Sequence, residues 1–129
     1  STQGVSSAAS DVYKRQENGG VFARSQIIPE MNHNEIVAWG ESNATESQSL
    51  LIFSWDGIHE RNDLRLDWFL ENVTVEPTWG LLCEGESHLE ALLYAAILMD
   101  WLSCAVALLR GKDPTAIGPI VGLKDHLSQ

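Results

Sequence analysis

From Ala91 to Leu109 the chain is apolar on nearly every side, broken near its middle by Asp100. Ser87-His88-Leu89-Glu90, just upstream, has the Ser-x-x-Glu pattern in which hydroxyl and carboxylate each satisfy a free backbone N–H at a helix start. Gly111, with Pro114 just beyond, ends such a helix after Arg110. A helix apolar all round either spans a bilayer or lies inside a core. A carboxylate at the bilayer centre costs about 3 kcal/mol, and the flanks carry no Lys/Arg bias. The pattern therefore predicts a buried core helix, and no membrane.

One such helix needs partners, and 129 residues allow one domain with one core. Eight Lys and Arg stand against 18 Asp and Glu, for a net charge of −10, with no basic stripe. That balance argues against nucleic acid and anionic membrane surfaces as partners. Cys83 and Cys104 fit no metal or CxxC spacing and read as reduced, partly buried thiols. The sequons at Asn43 and Asn72 carry little weight without a secretory signal, so a cytoplasmic location is expected.

Residues 1–16 show neither helical nor strand period and read as a non-native linker, which leaves 17–129 as the folded part. Gly19-Gly20 ends one element, and a short extended piece leads into Ile27-Ile28. Glu41 to Ser49 is a polar loop. Leu50 to Trp55 is continuously apolar, as a strand covered on both faces would be. Ile58 to Asn72 is an amphipathic helix with Leu64, Trp68 and Phe69 on its apolar side and charges opposite. Val73 to Pro77 reads as a second strand and Thr78 to Glu86 as a loop. Strand, helix and strand within about thirty residues form a βαβ unit with parallel strands. A last helix carries Ile120, Leu123 and Leu127 on one side, with Lys124 beside them.

The most polar cluster lies in Ile27-Ile28-Pro29-Glu30-Met31-Asn32-His33-Asn34-Glu35-Ile36-Val37-Ala38-Trp39-Gly40. Asn32 as cap and Glu35 three residues on predict a helix from His33 to about Trp39, with Gly40 left-handed after it. His33 would then sit in the first turn, where the helix dipole opposes a second positive charge and favours a neutral imidazole. A neutral imidazole near backbone N–H groups suits proton transfer on a phosphorylated or polyhydroxy substrate. A histidine that only decorates the helix start is the plain alternative. A metal site of Glu30, His33 and Glu35 is the other, although their spacing matches no common signature.

Three blocks of sequence together resemble the bifunctional phosphoglucose/phosphomannose isomerases, which are built from two sugar-isomerase (SIS) domains. The Ile-Pro-Glu-Met-Asn-His-Asn-Glu-Ile run is similar to a signature in their C-terminal half. Glu84-Gly85-Glu86-Ser87 through Asp100-Trp101 is similar to their loop and long helix. Ala107 to Thr115, with Pro119-Ile120 and Leu123-Lys124, resembles their C-terminal tail. The blocks stand in family order and span nearly all of 17–127.

The resemblance implies an α/β fold, a truncated SIS (flavodoxin-like) domain with part of a parallel sheet and flanking helices. It implies interconversion of glucose 6-phosphate or mannose 6-phosphate with fructose 6-phosphate through a cis-enediol, without metal or other cofactor. Carried over by motif, Glu17, which stands sixteen positions before His33, is the base, and His33 and Lys124 assist ring opening. A carboxylate is a competent base for a proton beside a carbonyl when partial burial raises its pKa. A homodimer is implied, with His33 contributed across its interface. The N-terminal SIS half and its Ser/Thr-rich phosphate loop are absent, so this polypeptide alone is expected to be inactive and to expose apolar surface. The rival is a non-catalytic SIS module that binds a sugar phosphate. An interaction domain built on the long helix would be a third kind of protein.

Overall fold

The computed structural model describes residues 12–41 and 48–128. They fall into two compact units, one within 26–95 and one formed by 12–25 with 96–128. The expected βαβ element lies in the first. Strand β1 (Leu50–Ser54) is followed by helix α3 (Glu60–Asn72) and strand β2 (Thr78–Leu82). The strands pair in parallel, with Leu50 opposite Thr78 and Ser54 opposite Leu82. All five β1 residues are only half-buried, so the strand is not covered on both faces as its apolar run predicts, and four of the five β2 residues are exposed.

The second strand starts later than its apolar pattern predicts. Val73 and Val75 are buried beside Phe69 instead of entering the ladder. Pro77 has no N–H to donate, but its carbonyl accepts from Leu50 N at 3.0 Å and opens the pairing. Thr78 to Leu82, expected as loop, is therefore strand. His59 caps α3, its Nδ1 accepting from Arg61 N at 3.1 Å. Of the helix's expected apolar side only Phe69 is buried, at 2% exposure; Leu64 and Trp68 face outward. Met31, Ile36, Trp39 and Leu50 pack around Phe69, with the Trp39 ring edge-on at 5.9 Å. In a second cluster Cys83, Ala91 and Ala95 meet Phe53, Trp55, Leu81 and Tyr94.

Helix α4 (His88–Leu109) opens as its sequence predicts. Glu90 N donates to Ser87 Oγ at 3.3 Å, and Glu90 Oε2 accepts from Ser87 N and Glu86 N. At its far end Gly111 takes φ 65°. Gly111 N reaches Leu108 O at 3.0 Å and Lys112 N reaches Ala107 O at 2.9 Å, the paired bonds of a Schellman ending. Burial along α4 departs from expectation. Ala91, Ala95, Met99, Ser103 and Ala107, spaced by four, are buried. Leu89, Leu93, Ile97, Trp101 and Leu108 are exposed, Trp101 by 73%. Repeated every four positions, the buried row of alanines, Met99 and Ser103 winds slowly around the helix instead of keeping to one side, and the large residues just named stay exposed. By length and composition alone this helix is long and apolar enough to cross a membrane.

In the second unit residues 12–17 form helix α1, although the sequence there has no period that predicts one. Lys14 and Asp100 form an ion pair that ties α1 to α4. Gly19 and Gly20 end α1. A Cβ on Gly19 would lie 2.8 Å from Arg15 O, and Gly20 has φ 62°. Helix α5 (Gly118–Leu127) has Pro119 in its first turn and no buried residue, so the expected apolar side of Ile120, Leu123 and Leu127 lies open. Cys83, in the first unit, is buried and Cys104, in the second, is half-buried; no disulfide joins them. Residues 1–11 and 42–47, with the sequon at Asn43 and most of the Glu41–Ser49 loop, lie outside the described residues.

Candidate functional site

The segment around His33 folds differently from its capping pattern. Glu30–His33 is one turn of 3-10 helix, and α2 (Glu35–Glu41) begins only after Asn34. Met31 N bonds Ile27 O at 2.9 Å and Asn32 N bonds Pro29 O at 3.0 Å, so the turn closes before an α-helix starts. Asn34, at φ −141° and ψ −45°, then redirects the chain. Packing explains the break. Met31 and Ile36 both pack on the Phe69 cluster. Five residues apart on one α-helix, they would point about 140° away from each other.

His33 therefore ends a 3-10 turn and is exposed, not in the first turn of an α-helix as its capping pattern predicts. Asn32 makes no side-chain cap; its Oδ1 is buried and meets no hydrogen-bond donor among the described residues. Glu35 accepts from Trp39 Nε1 at 3.1 Å, which ties its carboxylate to the core side of α2. Gly40 stays within α2 and does not turn left-handed.

Glu17 is the last residue of α1 and Lys124 stands in the last turn of α5; both are exposed. They share the second unit, while His33 belongs to the first. No hydrogen bond or ion pair joins the three side chains among the described residues. What the fold does organise is the backbone of Glu17. Lys112 Nζ donates to Glu17 O, and to Asn18 O at 2.9 Å. Asn18 Nδ2 donates to Ser103 Oγ at 3.2 Å, and Ser103, fully buried, donates to Asp100 O at 2.8 Å. Lys112 lies in a family-like block and Ser103 in the long apolar run, but neither position predicts a tie to Glu17 or Asn18. Both bind a segment more than eighty residues away, a pairing that no local pattern announces.

Just past α4, Asp113 Oδ1 accepts from Thr115 N at 2.8 Å and Thr115 Oγ1 at 2.7 Å. The backbone bond foremost, then the hydroxyl bond and the Lys112 charge, hold the Asp113 carboxyl below its usual range.

Parallel strands joined through a helix, a capped long helix and a Gly-Lys-Asp-Pro-Thr tail define an α/β domain of SIS type. The family described as the bacterial phospho-glucose isomerase C-terminal SIS domain matches residues 9–127, and the chain belongs to it. That match begins inside the stretch expected to be linker. The chain is also similar to the bifunctional phosphoglucose/phosphomannose isomerase of Aquifex aeolicus (strain VF5), at 34% identity over 116 residues. The aligned part covers 88% of this chain but only 36% of that relative.

Proposed function

We propose that this chain is the C-terminal SIS part of an isomerase that interconverts glucose 6-phosphate or mannose 6-phosphate with fructose 6-phosphate. The observation that carries the reading is the family match over 9–127, which includes Glu17, His33 and Lys124. In the opened sugar the Glu17 carboxylate removes the proton from C2 of the aldose, and electrons move onto the carbonyl oxygen to give a cis-enediol. The same carboxyl returns the proton to C1 as the ketose carbonyl forms at C2. His33 and Lys124 move the ring-oxygen and O1 protons during opening, and no metal takes part.

Because all three side chains are exposed here, the pocket is completed by surfaces beyond this chain: the rest of a longer polypeptide and a twofold mate that contributes His33. The enzyme works in the cytoplasm, and this polypeptide alone does not turn over substrate. The test is to supply fructose 6-phosphate to the full-length protein that carries this chain, with a chelator present, and to follow both aldose products. Turnover that survives the chelator is expected. Tight sugar-phosphate binding without turnover would overturn the reading in favour of a binding module.

A further inference from the structure

We infer that Lys112 is a positioning residue for Glu17, acting through the backbone at the end of α1; this rests on the role just given to Glu17. A helix that stops leaves its last carbonyls without N–H partners, and these carry the negative end of the dipole. Gly19 and Gly20 stop α1 directly after Asn18, so the carbonyls of Glu17 and Asn18 are of this kind. The Lys112 ammonium takes both. It is held there from two sides. Lys112 N is bonded to Ala107 O at 2.9 Å, which anchors the residue to the end of α4. Its side chain runs against Gly20, where an added Cβ would lie 3.4 Å from Cδ and 3.8 Å from Nζ.

A second tie reaches the same place from α4 itself, the bond from Asn18 Nδ2 to the buried Ser103 Oγ. A third, Lys14 to Asp100, holds the preceding turn of α1. Together they fasten residues 14–18 to α4 through Asp100 and Ser103 and to the turn just after it through Lys112. The Glu17 side chain is exposed, and among the described residues it is the backbone of the proposed base that is held. Proton abstraction depends on how often the carboxylate occupies its near-attack position, and a small misplacement there costs rate more than affinity.

Two readouts on the full-length protein test the assignment. Lys112→Met should lower kcat by about tenfold or more with KM within about twofold, and Lys112→Arg, which can still donate to both carbonyls, should recover most of the loss. Ser103→Ala, a change of little volume, should shift kcat in the same direction by less, and it tests the clasp should the Met variant not fold. Hydrogen exchange is followed in parallel at Asn18 N, bonded to Lys14 O at 2.9 Å, and Val21 N, bonded to Arg15 O at 3.2 Å. Both should exchange faster in Lys112→Met and return toward wild type in Lys112→Arg. Unchanged exchange overturns the clasp even in a protein that shows no isomerase activity. Faster exchange with unchanged kcat overturns the positioning role while leaving the isomerase reading intact.

Discussion

Gly111 shows at single-residue scale what the sequence reveals directly. Its position after the last apolar residue of α4 predicts a left-handed ending, and it has one, at φ 65°. A Cβ there would crowd the adjoining carbonyl, so Gly111→Ala should lower unfolding free energy by about 1 kcal/mol in urea titrations. Asp113 was not legible in the same way, because its hydrogen bonds depend on how the turn after α4 folds. The carboxyl is held below its usual range chiefly by Thr115 N. A folded pKa below the unfolded value means stabilisation that is present above the unfolded pKa of about 3.9 and lost as pH falls through the folded value. Asp113→Asn should therefore be less stable than wild type at pH 6, and the gap should close as the medium is acidified below about pH 4. A gap that stayed constant over that range would remove this explanation. Lys112 was hidden for a different reason, since its partners lie at the opposite end of the chain.

At the scale of elements, local signals held where they rest on hydrogen bonds within a few residues. The Ser87–Glu90 box is one case, and Ser87→Ala should cost about 1 kcal/mol in thermal or chemical unfolding. Signals failed where a distant surface decided. Val73-Thr74-Val75 alternates as a strand does, yet both valines serve the Phe69 cluster and the ladder begins after Pro77. Asn32-x-x-Glu35 looks like a cap, but Met31 and Ile36 must both reach Phe69, and the helix splits at Asn34. Phe69 should thus be the costliest position in this unit: Phe69→Ala is expected to lose about 3–5 kcal/mol by denaturant titration. The two rows of α4 give a further contrast. Ala107, with no exposed surface, should tolerate leucine poorly, at about 1–3 kcal/mol, whereas Leu93→Ala on the open row should change stability little.

For the molecule as a whole, hydrophobicity identified α4 but could not say which side would be covered. The row of Ala91, Ala95, Met99, Ser103 and Ala107 is buried, and the row of Leu89, Leu93, Ile97, Trp101 and Leu108 is not. Contiguous apolar surface of that kind leads to association. The chain on its own should self-associate in light scattering, and Ile97→Lys with Trp101→Lys should suppress this. The fold class and family were legible because their motifs are local and occur in order. The assembled site was not, because Glu17, His33 and Lys124 are exposed and the chain covers 36% of its relative's length. The central claim is that the Glu17 carboxyl carries the proton between C1 and C2. Its most direct test is NMR of sugar phosphate turned over in D2O by the full-length protein and by its Glu17→Gln variant. Wild type should place deuterium from solvent beside the carbonyl as it isomerises, and the variant should bind the sugar yet neither label nor isomerise it. Labelling by the variant at the wild-type rate would contradict the assignment.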